Sequence, residues 1–148
     1  MTEEINSGLD MELSSGIAAF EAKHFSRAVQ LLSPLAEAGD AEAQYRVAIM
    51  AQNGLGLHRN PELAVRCMRA AAAAGHALAQ HGMGFMYLEG DCLPKDTAAA
   101  VPWFKKAATQ GLAGSQAMLG ILFAEGRGVP QDLEQAQYWN RLAGMEEG

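Results

Sequence analysis

Cysteine is nearly absent: Cys67 and Cys92 are the only two in 148 residues, and no CxxC or HExxH spacing occurs. His76 and His81 are five apart and so do not share a helical face, while His24 and His58 fall in connections. A metal site is therefore not expected. Basic residues are also scarce, with 11 Lys+Arg against 17 Asp+Glu and a formal net charge of -6. Nucleic acid is excluded as a general partner, since phosphate binding needs a basic footprint. Long apolar runs are missing too. The tract Ala70–Ala74 is far too short to span a bilayer. Residues 1–13 carry neither a basic leader region nor an unbroken apolar core, so no signal peptide and a cytoplasmic location are expected. No serine has a nucleophile-elbow context, and Gly126–Gly128 lacks the lysine and preceding strand of a phosphate loop. The chain is expected to be neither an enzyme nor a cofactor carrier.

What the chain does have is glycine, 16 residues of it, and at a fixed interval. Gly39, Gly75 and Gly111 stand 36 apart. The interval also relates Gln44, Gln80 and Gln116, then Gly54, Gly90 and Gly126, then Asn60, Asp96 and Asp132, and finally Ala64, Ala100 and Ala136. A period of this length means one supersecondary unit copied along the chain, each copy burying its apolar face against its neighbours. In the same frame Cys67 occupies the place of Trp103 and Trp139, which are read as core anchors, and Cys92 takes the place of the loop glycines Gly56 and Gly128. A disulfide between the two cysteines is not expected.

Each copy reads as two helices. Ala79, Met83, Phe85, Met86 and Tyr87 show the three-and-four spacing of the first helix, which ends on a glycine-rich turn. Asn60, Asp96 and Asp132 then have the chemistry of N-caps for the second helix, with Pro61 at a first helical position. The spacing predicts helices over 41–53, 61–74, 77–89, 97–110, 113–125 and 133–143. A further N-terminal pair with a shorter connection is expected over 8–22 and 26–38, where Phe25, Ala28, Leu32 and Leu35 lie 9, 12, 16 and 19 residues after Gly16. Residues 1–7 read as a flexible N-terminus, 8–144 as one repeat domain and 145–148 as a tail. Pro34 and Pro102 fall inside second helices, where bends are expected.

The segment AxAQxxMGxMYxxG over Ala77–Gly90, followed by DxxxAxxWFxxAAxxG over Asp96–Gly111, resembles the Sel-one-like repeat, a relative of the tetratricopeptide repeat. Ser115–Asp132 with Ala136 and Trp139 matches equally well. The unit before them is degenerate, with Ala48, Ala51 and Cys67 at the glycine, tyrosine and tryptophan places, and the N-terminal pair is closer to the tetratricopeptide pattern. The resemblance covers residues 8–144. It implies an all-α, right-handed superhelical solenoid of four antiparallel helix pairs, with the first helix of each pair lining a concave face. It also implies a bacterial or eukaryotic adaptor that binds other proteins, with no cofactor and no shared catalytic site.

Carrying the groove positions of that superfamily onto this chain assigns the concave face to Leu13, Ile17, Tyr45, Ile49, Leu78, His81, Phe85, Leu88, Glu89, Ile121 and Glu125. Apolar anchors edged by carboxylates suit a helix or extended peptide with apolar contacts and Lys or Arg flanks. The alternative is that the aliphatic positions pack against the next helix pair and the carboxylates are solvated helix charges. A different reading makes the chain a structural self-assembler, a possible homodimer, pairing through Tyr138, Leu142 and Met145 at an uncapped last unit. A role as accessory to ligand-processing chemistry is disfavoured by the absence of any acid–base constellation.

Overall fold

The structure, a computed structural model, describes residues 2–145, with side chains from residue 10 onward. Among the described residues it contains eight helices and no strand. They are α1 (Thr2–Glu21), α2 (Phe25–Glu37), α3 (Ala41–Asn53), α4 (Pro61–Ala73), α5 (Ala77–Glu89), α6 (Thr97–Thr109), α7 (Ala113–Glu125) and α8 (Leu133–Leu142). The chain divides into two compact units, Met1–Ala74 and Gly75–Gly148. In the first, α1 packs on α2, α2 on α3 and α3 on α4; in the second, α5 packs on α6, α6 on α7 and α7 on α8.

Helix ends follow the sequence expectations closely. Asn60, Asp96 and Asp132 cap α4, α6 and α8, their side-chain oxygens accepting from the backbone N–H groups of Leu63, Ala99 and Gln135 at 3.1 Å. Each bond satisfies one of the donors a helix N-terminus leaves orphaned. At the other end Gly54, Gly90 and Gly126 take the left-handed conformation, with φ of 68°, 68° and 65°, and close α3, α5 and α7. The recurring glutamine has a structural task as well. Gln44 Nε2 donates to the Ala36 carbonyl at 3.2 Å and Gln116 Nε2 to the Ala108 carbonyl at 3.1 Å, each satisfying an acceptor in the last turn of the preceding helix.

One expectation is modified. Helix α1 starts at Thr2 rather than near residue 8, continuing through Gly8 although glycine is a weak helix former; Met1 and residues 146–148 of the expected tail lie outside the described residues. Pro34 and Pro102 lie within α2 and α6, both helices extend beyond them, and both rings are exposed, where water can reach the carbonyls they leave without an intrahelical donor.

The first unit closes over Ala28, Leu32, Ala43, Val47, Met50, Ala64 and Met68. In the second, Leu88, Val101, Phe104, Leu119, Leu122, Phe123 and Trp139 form one buried cluster with small alanines between them. Helix approach depends on glycine at three equivalent places, Gly16, Gly84 and Gly120, the last lying against the Asn140 side chain. A Cβ on Gly16 would collide with the Leu32 side chain, and one on Gly84 would lie 2.7 Å from the Phe104 ring. These are the places the repeat assigns to a helix glycine. Helix–helix distance is set there by the absence of a side chain.

Candidate functional site

The first helix of each pair carries the positions expected to bind. In the first unit Leu13 and Ile17 on α1 and Tyr45 and Ile49 on α3 are all half-buried. Burial raises the Tyr45 phenol pKa above its ordinary value, opposed by the Arg46 cation and reinforced by the Glu42 carboxylate. Arg46 organises this face. Its Nε donates to Glu42 at 2.9 Å, its guanidinium lies 3.6 Å from the Glu21 carboxylate, and its Cζ sits 4.9 Å over the Phe20 ring. The carboxylates on this side are therefore engaged by an arginine of the chain itself. The i,i+4 spacing of Glu42 and Arg46 carries that signal in the sequence, although the groove assignment did not use it.

In the second unit α5 and α7 contribute a different surface. Leu78 is 45% exposed and Ile121 42%. Glu125 is exposed one turn after Ile121, in a loose pair with Arg127 at 3.4 Å whose open position makes it weak, and Glu89 is exposed at the far end of α5 from Leu78. Leu88 requires a correction: it is 7% exposed and belongs to the buried cluster with Phe104 and Leu122. A leucine there reaches the core, so it is not available to a partner. Phe85 is half-buried and packs edge-on against Phe104 at 5.2 Å and against His81 at 4.8 Å. It has a structural share as well as an accessible one.

His81 links the two helices of this face. Its Nδ1 and Ser115 Oγ form a 2.6 Å hydrogen bond from α5 to α7. Burial pushes the His81 pKa below its ordinary value. The unfolded chain therefore takes up the proton first. This contribution to stability is fully present above about pH 6.5 and is lost as the pH falls through the folded-state pKa. Urea midpoints measured between pH 7 and pH 5 should fall more steeply for the wild-type chain than for His81→Gln. Parallel curves would mean that the imidazole is not held in its neutral form.

His81 has a hydroxyl partner but no carboxylate behind it among the contacts described, and Ser115 is fully buried. Among the described residues no group of three or more His, Cys, Asp or Glu is placed to hold a metal ion. Likewise, no described helix is long and apolar enough to cross a membrane. Both cysteines are free thiols.

Comparison with known proteins agrees with this architecture. The Sel1 repeat profile matches residues 41–76, 77–112 and 113–146, well over half the chain. Among curated proteins none matches at a significant level. A Sel1 repeat protein from Oxalobacter formigenes is 31% identical, with a TM-score of 0.85 over 90% of this chain and 53% of its own. The protein c5321, described as a protective antigen present in uropathogenic Escherichia coli strains and displaying an SLR fold, is 35% identical, with a TM-score of 0.76 over 78% of this chain and 25% of its own. This chain thus spans about half the length of the first relative and a quarter of the second. With three copies of the repeat and an all-α fold of four helix pairs, the chain belongs to the Sel1 repeat family.

Proposed function

We propose that the protein is a non-enzymatic adaptor whose first-helix faces hold an apolar segment of a partner polypeptide with basic flanks. Sel1 repeat proteins generally mediate protein–protein interaction. The observation that carries the finer reading is exposed Ile121 one turn before exposed Glu125 on α7, with exposed Leu78 opening α5 and exposed Glu89 closing it. Apolar side chains at those positions add nothing to the buried cluster, and carboxylates at the ends of α5 and α7 would attract lysine or arginine. A reducing, cytoplasmic setting suits the two free thiols.

The experiment is capture of a partner with purified bait, followed by direct titration of the partner obtained. Ile121→Glu and Leu78→Glu are better probes than changes at Phe85, which would also disturb the Phe104 packing. Each is expected to weaken binding at least about tenfold with far-ultraviolet circular dichroism unchanged. Glu89→Lys is expected to act mainly on the association rate and its salt dependence. Unaltered affinity in both apolar variants would remove this face from consideration.

A second reading, self-association, draws on Tyr138, Leu142 and Met145, which are 47%, 51% and 53% exposed at and just beyond the end of α8. If the captured partner is another copy of the chain, Leu142→Glu and not Ile121→Glu is the variant that abolishes capture.

A further inference from the structure

The first unit contains a cleft of about 300 Å³ between α2, α3 and α4, with Cys67 in its lining. The repeat explains why it is there. Moving each lining residue two periods along the chain carries Ala36 to Ala108, Val47 to Leu119 and Cys67 to Trp139. Those three residues are members of the buried cluster of the second unit. The floor of the two environments is framed alike, since Gln44 bonds the Ala36 carbonyl as Gln116 bonds the Ala108 carbonyl. In the third repeat the space is filled by an indole, and Trp139 is only 9% exposed. Cys67 puts one of the smallest apolar side chains at the same place, and an open space results.

The rim of the cleft differs from its counterpart in a way that bears on what it accepts. Glu37 and Arg66 line it. Their equivalents are Thr109, whose hydroxyl donates to the Lys105 carbonyl of its own helix, and Tyr138, which stacks edge-on with Trp139 at 5.0 Å. The Trp139 Nε1 has no hydrogen-bond partner. At the cleft, the Glu37 carboxylate offers the acceptor that Trp139 lacks, and the Arg66 guanidinium offers a cation to the face of an aromatic ring. An acceptor for an N–H group beside a cation for a π face complements an indole. It complements neither a phosphate, which Glu37 would repel, nor a purely aliphatic group, which would leave both charges unused.

We propose that this cleft is a socket for the side chain of a tryptophan in a partner polypeptide, admitting from outside the ring that the third repeat supplies from its own chain. The surface is formed by α2, α3 and α4 and includes none of the first-helix face residues of the proposed adaptor site. The two therefore stand or fall separately. The volume is at the small end of ligand pockets, the scale of one ring system rather than of a large cofactor.

The test titrates the full-length, nitrogen-15-labelled protein with N-acetyl-L-tryptophanamide, following backbone amide shifts. Saturable shifts are expected at Val47, Arg66, Cys67 and Ala70, with a dissociation constant on the order of 1 mM as befits a single ring. N-acetyl-L-leucinamide should bind at least about fivefold more weakly. Cys67→Trp, which fills the space from within, should abolish the response, and Cys67→Ala should retain it. Should Cys67→Trp fail to fold, Ala70→Leu narrows the mouth with the residue that Leu142 provides at the equivalent place, and it should weaken the probe at least about tenfold. The proposal is overturned if the wild-type chain shows no saturable shift at these amides. It is overturned equally if the folded filling variant binds the probe as well as the wild type does.

Discussion

Phe104→Ala is expected to destabilise the protein by about 3–5 kcal/mol, lowering the urea midpoint while leaving the first unit's own core contacts in place. The ring is fully buried at the centre of the second unit. It meets His81 edge-on at 5.5 Å and Phe85 at 5.2 Å, and it lies against the bare backbone of Gly84. Removing it strands three partners at once. The neighbours cannot collapse inward readily, since His81 is tied to Ser115 and Gly84 has no side chain to follow. Natural domains are stable by only about 5–15 kcal/mol, so the loss is a large share of the total. Gly84→Ala provides the complementary measurement. Its new Cβ would meet the ring at 2.7 Å in the wild-type background and would be relieved of that contact in the Phe104→Ala background. The two changes together should therefore cost less than their sum. A Phe104→Ala cost under about 1 kcal/mol would mean that the site relaxes freely and that the glycine–phenylalanine contact does not set the spacing of α5 and α6.

Most of the helix assignment was legible in the chain because its determinants are local. A cap such as Asp96 and a left-handed glycine such as Gly90 act within three or four residues, and the period repeats each signal three times. The face that carries the candidate site was legible to the same extent, because the repeat frame transfers direction around a helix. Depth was not legible. The equivalent positions Phe20, Gln52, Leu88 and Ala124 point in corresponding directions, yet only the leucine is buried; Phe20, larger and as apolar, stays half-buried beneath Arg46, so depth depends on what the neighbouring helices bring. The partners of Arg46 and His81 were also beyond a single helix pattern. Glu21 is supplied by another helix, and Ser115 lies 34 residues away. The Cys67 cleft shows both sides of the matter. That Cys67 takes the place of a tryptophan is plain from the period, but whether neighbours would move in to fill the difference depends on α2, α3 and α4 together. They leave it open.

Gly56→Ala is expected to cost about 2–4 kcal/mol, more than Gly54→Ala two residues earlier, though both glycines have positive φ. In Gly54 the angle is 68° and the nearest foreign atom to an added Cβ would be 3.5 Å away. Its substitution therefore bears little beyond the left-handed penalty of about 1–2 kcal/mol, partly offset by the stiffer unfolded chain. Gly56 has φ of 76°, and its Cβ would fall 2.5 Å from the carbonyl carbon and oxygen of Phe25. Those are backbone atoms at the start of α2, which cannot rotate away as a side chain would. The turn after α3 is thus pressed against the start of α2. The second unit repeats the arrangement, where a Cβ on Gly128 would meet the Thr97 carbonyl oxygen at 2.7 Å. Cys92 separates the two contributions, since it holds a side chain at the equivalent turn position with φ of 67°. Conformation alone is therefore tolerable at this place in the repeat, and close backbone approach is what demands glycine at residue 56. Chemical denaturation of the two single variants decides the point. Equal losses would show that the left-handed geometry accounts for everything and that the contact with Phe25 carries no weight.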